Sequence, residues 1–461
     1  MVADVRRSPR DGGLPRRTVA GYAIGSLATG GFGTLPGLVL VYYLTDSLGV
    51  AAIAAGVLVT VAKVWDILID PVIGALSDSD RARTGSRRRL MLVGGAAIPV
   101  LFALTFAVPG GLTGLPAAAW VLVAFLGAAT AFSLFQVPYI ALPAELTAGY
   151  DARTRLLTWR VVVLTFAIVL FGAGGPVLRG LADDPRTGYL GMAVVAGVLL
   201  GVGMLASTVV VPRGPRAPVQ RRGLAAGYRE GWAVLRRSAP FRALLAAFAL
   251  QGLATGMMLA GAQYVATWVL RSEDAVTFVF LSLIAPALVF APVWAAVSRR
   301  IGKERAFAIA SVVFAVAVAA LVLLAVAPGE WAYVPVAVAG AAYAGMQSLP
   351  MAMLPDVISH DARTSGEDAA GAFGGVWTAG ETTGMALGST ALTLVLAVTG
   401  YAERVAGVAV EQSPSAVLGI VLSFSIVPAA VVLLSLLPLS RYGLRRNDIE
   451  RAETVREGAP A

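Results

Sequence analysis

The run Lys63-Val64-Trp65-Asp66-Ile67-Leu68-Ile69-Asp70-Pro71 sets one ammonium and two carboxylates into an otherwise apolar stretch. Offsets of three and four place Lys63, Asp66 and Asp70 on one face of a helix. Ionisable groups in hydrocarbon are costly, so those well inside an apolar span carry information about function. Two carboxylates one turn apart can share a cation or a proton: hard oxygen donors suit sodium, and adjacent acids equally suit a proton. The plainer alternative is that Lys63 neutralises Asp66 while Asp70 tethers the helix end beside Pro71. The depth of both carboxylates favours an ion site, with Asp66 and Asp70 as the candidate sodium ligands.

Other polar groups sit in apolar surroundings. Glu381, between Gly380 and Thr382 midway along an apolar stretch, is a candidate substrate or proton site. Arg160 could point towards it or snorkel to the interface. Ser133, Gln136, Tyr139, Gln251, Gln263, Tyr264, Gln347 and Trp377 could line a central cavity or make interhelical hydrogen bonds. Glu145 and Asp356 follow Pro143 and Pro355, and read as latches between helices with Arg153 and Arg363 as expected partners. The only lysines are Lys63 and Lys303, and Glu304 follows Lys303, so no phosphate-binding Gly-Lys-Ser/Thr loop is present. A single histidine, His360, reads as solvated beside Asp361. With no cysteine, disulfides, Cys-bound zinc and iron–sulfur clusters are excluded, and no enzyme motif or cofactor is expected.

The elements that must position these residues are membrane helices. Of 461 residues 57% are hydrophobic and 14% charged, against about 25% charged in a soluble domain. Apolar runs long enough to span hydrocarbon fall near 19–45, 50–76, 90–108, 116–146, 157–175, 188–211, 241–270, 275–298, 305–327, 331–357, 370–398 and 414–438. The first follows an Arg-rich start and is too long for a signal-peptide core, so it reads as a retained helix. With the N-terminus cytoplasmic, 31 of the 36 Lys and Arg fall on the cytoplasmic side and four outside, with Lys63 inside the second span. That asymmetry predicts both termini inside a plasma membrane. The net charge of +9 is then a topology signal directed at anionic lipid headgroups and calls for no nucleic acid.

The longest polar connection, 212–240, divides six spans (1–211) from six (241–439), followed by a tail (440–461). Local features recur in the two halves. PYIALPAEL from Pro138 with DARTR at Asp151 returns as PMAMLPDV from Pro350 with DARTS at Asp361. Gly74-Ala-Leu-Ser-Asp78 and the turn Thr84-Gly85-Ser86-Arg87-Arg88-Arg89 have a weaker counterpart at 298–305. Asp78, Gly85, Arg87 and Arg88 read as a loop motif. Parallel duplicated halves are how the major facilitator architecture is built, so an all-α fold of twelve transmembrane helices is expected.

The run KVWDILIDPVIGALSDSDRARTGSRRR resembles the signature of the glycoside–pentoside–hexuronide:cation symporters, the melibiose-carrier family. YYLTD (42–46), VPYIALPAELTAGYDARTRLLTWR (137–160) and the stretch 349–388 extend the resemblance over nearly the whole chain. It implies a twelve-helix major facilitator protein that moves sugars with sodium, lithium or protons by alternating access. By that resemblance Asp66 and Asp70 match the family's cation carboxylates and Lys63 its basic residue one turn earlier. Ser133 matches a cation-site hydroxyl, and Arg160 an arginine near the sugar. Elsewhere the chain departs from the pattern. Gly30 stands where the family has a sugar-gripping aspartate, Gln136 where it has an aspartate shared by sugar and cation, Ile140 in place of a stacking aromatic, and Thr382 in place of a lysine.

These residues predict a cation-coupled symporter of a sugar, glycoside or other small organic solute, working as a monomer. Asp66, Asp70, Ser133 and Gln136 are expected at the ion. Lys63, Gly30, Ile140, Arg160, Gln263, Tyr264, Trp377, Glu381 and Thr382 are expected at the solute. Gly30, Ile140 and the many Ala and Gly residues make the cavity less polar, and with the lysolipid-carrying relatives that the resemblance implies they leave a lysolipid, another amphiphile or a drug-like export substrate as the alternative. A non-transporting sensor would need an appended domain that the short tails cannot form.

Overall fold

A computed structural model describes residues 14–147, 150–212, 224–365, 369–406, 408 and 410–444. Twelve long helices follow in order: α1 (Arg16–Asp46), α2 (Ala52–Thr84), α3 (Arg88–Phe106), α4 (Gly114–Leu146), α5 (Tyr150–Arg179), α6 (Pro185–Ser207), α7 (Ala239–Val269), α8 (Ala275–Ile301), α9 (Lys303–Ala325), α10 (Tyr333–Ser365), α11 (Ala370–Val398) and α12 (Pro414–Leu439). Among the described residues eleven are long and apolar enough to cross a membrane. The twelfth, α10, is as long as α2 and α4 but carries Tyr343, Gln347, Ser348 and prolines at 350 and 355.

Starts and stops follow local chemistry. Asp184, Ser238 and Ser413 cap α6, α7 and α12 by accepting a backbone N–H from the first turn, each with a proline beside it. α2 ends at Gly85, whose φ of 76° is the left-handed conformation that glycine adopts without a Cβ penalty. The 212–240 connection contains a helix, Leu224–Arg237, that packs on α11 and holds Asp361 of α10 through Arg237, with N–O distances down to 2.7 Å.

Packing repeats with a shift of six. In the first half α1 packs on α5, α2 on α4, and α3 on α4 and α6; in the second α7 packs on α11, α8 on α10, and α9 on α10 and α12. The halves meet where α1 crosses α7, α2 crosses α11 and α5 crosses α8. Under a six-helix shift the first contact maps onto itself and the other two exchange. That is the relation expected of parallel repeats about an axis along the membrane normal.

Small residues permit the close crossings. On α11 Gly380, Gly384 and Gly388 recur every fourth residue against α7, where a Cβ at Gly384 would run into the Ala249 carbonyl. The equivalent crossing of α1 and α5 uses Gly30, where a Cβ would stand 2.7 Å from that of Ala167 and 2.8 Å from the Leu164 carbonyl oxygen.

Candidate functional site

On α2, Lys63 Nζ lies 3.2 Å from Asp66 Oδ2. One turn on, Asp70 is half-buried with its Oδ1 enclosed and without a hydrogen-bond partner; Ser133 of α4 neighbours the carboxylate, and Asp66 and Lys63 are close enough to act on its charge. The arrangement offers two carboxylates and a hydroxyl to a small cation, with an ammonium beside them. Gln136, one turn beyond Ser133, uses its carbonyl to accept a 2.8 Å hydrogen bond from Thr29 of α1. It therefore braces α4 against α1. Among the described residues no group of three or more His, Asp or Glu is placed to hold a metal ion.

A cavity of about 260 Å³ lies between the halves, bounded by α1, α5, α7, α8, α10 and α11 with Phe314 of α9. Its wall is mostly Leu, Ile, Met and Phe, and its polar groups are the hydroxyls of Thr29, Thr34, Thr255 and Tyr343. Gly30 lines it, but its α5-facing side is so close to backbone that an acidic side chain does not fit there without moving the helices. Glu381 stands one turn from the lining residue Met385, and Gln347 donates to the Tyr343 hydroxyl at 2.7 Å. Trp377 is buried and stacks on Phe248 with centroids 4.5 Å apart, while its Nε1 has no partner. Thr382 is half-buried beside Glu381. Arg160 stands over the Tyr139 ring at 5.6 Å, and Tyr139 stacks on Tyr22 at 4.7 Å. Ile140 is 52% exposed, on the stretch of α4 nearer the chain termini.

Two expected solute contacts lie elsewhere. Gln263 and Tyr264 are buried at the end of α7 remote from the termini and do not line the cavity. Tyr264 belongs to a closure joining the two halves, because its hydroxyl meets Thr45 Oγ1 at 2.6 Å and its ring sits edge-on to Tyr42 and Tyr401. At its centre Asp46, fully buried, accepts from Arg404 Nε at 3.1 Å and from Tyr401 and Thr45 at 2.7 Å each. Arg404 also donates to the Tyr42 hydroxyl and lies over the Trp268 ring at 5.2 Å. Its backbone N–H bonds Thr45, Leu48 bridges Val405, and the Ala52 N–H reaches Glu403. Arg179 of α5 pairs with Glu273 of the α7–α8 connection at 3.2 Å. Burial opposes the Arg404 charge, yet Tyr42 and Asp46 together hold its guanidinium above its usual pKa. Burial likewise pushes the Tyr401 hydroxyl up, keeping it a proton donor to Asp46.

At the face bearing the termini the ion pairs among the described residues stay within one half or reach the connecting helix. Arg87 donates to Ser77 at 2.7 Å, Asp78 at 2.5 Å and Glu145 at 2.7 Å, and Arg81 also reaches Glu145. Burial works against Arg87's charge, and Glu145 and Asp78 outweigh it, so its pKa rises. Asp356 pairs with Lys303 at 2.6 Å. The expected partner of Asp356 is therefore corrected from Arg363, which is exposed, to Lys303, and Glu145 is held by Arg87 and Arg81, while the Arg153 side chain lies outside the described residues. Arg87 and Lys303 stand at the starts of the preceding helices, α3 and α9. Arg88 Nε is buried without a partner. Ile140 of α4 and Met351 of α10 are both more than half exposed.

A family model described as MFS/sugar transport protein matches residues 21–446. The chain belongs to that family. The transporter is 23% identical to the glucuronide carrier protein homolog of Escherichia coli K12 over 94% of this chain and 93% of that one. It is also 23% identical to the mouse sodium-dependent lysophosphatidylcholine symporter 1, over 73% and 69% respectively. In fold it is similar to a mutant form of the nucleoside transporter NupG, with a TM-score of 0.68, 11% identity, and coverage of 93% and 100%. It is a multi-pass symporter-type membrane carrier of the major facilitator fold, and its family consists of transporters rather than enzymes.

The closure around Asp46 escaped the sequence reading, although YYLTD contains Tyr42, Thr45 and Asp46. The signal available was Arg404, one of only four basic residues assigned outside.

Proposed function

We propose that the protein is a plasma-membrane symporter driven by sodium or a proton held between α2 and α4, with a small organic solute in the cavity between the halves. The observation that carries the ion site is Asp70: an enclosed, unpartnered carboxylate oxygen beside Ser133, one turn from an Asp66 already matched by Lys63. Such a carboxylate is costly empty and is stabilised by a bound cation or proton. Occupancy then favours the state that holds solute, by a coupling free energy felt equally by both ligands.

With both termini cytoplasmic, as the distribution of basic residues supports, the closure around Asp46 seals the outer side and the cavity opens inward. Rocking about the α1–α7, α2–α11 and α5–α8 contacts exchanges the two openings. A single chain supplies the whole cavity, so a monomer is the working unit.

For the solute, the apolar wall and the absence of room for an acid at Gly30 favour an amphiphile over a free sugar. The glucuronide and lysophosphatidylcholine carriers among its relatives support a polar group joined to a larger body.

The test is ion-dependent thermal stabilisation in nanodiscs, comparing wild type with Asp66→Asn and Asp70→Asn. A ligand at one hundred times its Kd stabilises by about 2.7 kcal/mol, so wild type should shift by several degrees with sodium or on acidification. Both variants should lose the shift and ion-driven uptake. A full shift in Asp70→Asn would remove the ion from this site.

A further inference from the structure

Within the membrane-spanning helices Asp66 pairs with Lys63 and Asp46 with Arg404, and Asp70, with one oxygen unpartnered, still has Ser133 and Lys63 beside it. Glu381 has no such neighbours. It is half-buried, and among the described residues it has no hydrogen bond or ion pair and no lysine or arginine near enough to share its charge.

Its placement gives that isolation a direction. The α11 face bearing Gly380, Gly384 and Gly388 is occupied by α7, whereas Glu381 and Met385 are each one residue further round the helix, and Met385 lines the cavity. Across the gap Tyr343 of α10 is close enough to feel the carboxylate's charge. Because the Tyr343 oxygen already accepts from Gln347, its own proton is free to be donated into the cavity. The cavity thus has a single negative group one turn from its lining residue Met385 and four hydroxyls, of which those of Thr29 and Thr255 already donate to Gln136 and to the Gln251 carbonyl, against an apolar wall of leucine, isoleucine, methionine and phenylalanine.

An unmatched carboxylate in low dielectric is costly, and the cost is relieved by a cationic ligand arriving with apolar surface to bury. A hydroxyl-rich neutral solute would leave most of its polar groups without partners here. We propose that the solute carries a quaternary or protonated ammonium on an apolar body, and that Glu381 receives that cation. This rests on reading the cavity as the solute site, and it is independent of the ion site at Asp70.

Binding of tritiated benzyltrimethylammonium to the full-length protein in nanodiscs tests it, with neopentylbenzene, its uncharged isostere, and phenyl β-glucoside as competitors. Wild type should bind the ammonium and be displaced poorly by either neutral compound. Glu381→Gln should bind at least about tenfold more weakly, equivalent to about 1.4 kcal/mol, while Glu381→Asp should retain most of the affinity. Asp70→Asn should still prefer the ammonium to neopentylbenzene, while ammonium binding loses its response to sodium or pH. Equal competition by neopentylbenzene, or unchanged binding by Glu381→Gln, overturns the proposal. Should Glu381→Gln not fold, the wild-type preference for ammonium over its isostere decides. Absence of any ion response in wild type would remove the ion-site reading while leaving this test intact.

Discussion

Arg87 holds three partners at once, and its geometry explains why lysine is no substitute: a planar guanidinium reaches Ser77, Asp78 and Glu145 in three directions, which a single ammonium cannot do. Arg87→Ala would leave Glu145 buried with only the more distant Arg81, at 3.2 Å. Losing one partner of a buried pair costs about 3–5 kcal/mol, and the remaining Arg81 puts the expected loss near the bottom of that range. Thermal unfolding in nanodiscs should show it, with Arg87→Lys intermediate and Asp78→Asn, whose side chain is 62% exposed, nearly silent. At this scale the sequence revealed what is local. Lys63, Asp66 and Asp70 are read off one helix because helical periodicity alone brings them together. Asp46 and Arg404 are 358 residues apart, and Lys303 and Asp356 are 53 apart, so only tertiary packing decides that they meet.

The same glycine is neutral or indispensable depending on what faces it along α11. Gly375 has nothing within 4 Å of an added Cβ, while at Gly384 the Cβ would meet the backbone of α7. Gly375→Ala should therefore be neutral or stabilise by up to about 1 kcal/mol through helix propensity. Gly384→Ala should destabilise by about 1–3 kcal/mol, since it overpacks against a carbonyl that cannot swing aside. Opposite signs in paired thermal shifts are the expected result; equal shifts would mean the helices separate freely. By the same geometry Gly30→Asp should not create a sugar-gripping acid, and should weaken the α1–α5 crossing instead. Helix existence and approximate ends were legible from hydropathy. The glycine register was present in the sequence, but which neighbour each glycine admits was not, because period-four small residues mark a close contact without naming its partner.

At the end around Asp46 the halves share an ion pair, four aromatic rings and backbone hydrogen bonds, whereas, among the described residues, the ion pairs of Arg87, Lys303 and Arg237 at the face bearing the termini hold within one half or to the connecting helix. In the proposed rocking cycle the alternative state breaks the Asp46–Arg404 pair, so weakening it shifts the equilibrium between states by stripping stability from this one alone. Asp46→Asn keeps the shape but removes the charge; Arg404→Ala leaves a fully buried carboxylate with hydroxyl donors only. Both should raise the population open at the sealed end, the second more strongly, because a buried charge without its counter-ion costs about 3–5 kcal/mol. Since the raised pKa of Arg404 keeps it charged, its contribution is complete below the ordinary arginine value. It is lost only as pH rises through that raised value, so alkaline pH short of the ordinary arginine range should leave the Arg404 charge in place. The chain has no cysteine, so spin labels can be placed at will on Cys substitutions in α1 and the α11–α12 connection. Distance distributions between them should be narrow and short in wild type and gain a longer component in Arg404→Ala. If the distribution stays short in Arg404→Ala, the aromatic packing of Tyr264, Tyr401 and Trp268 is sufficient to seal that end, and the ion pair sets register without setting the balance.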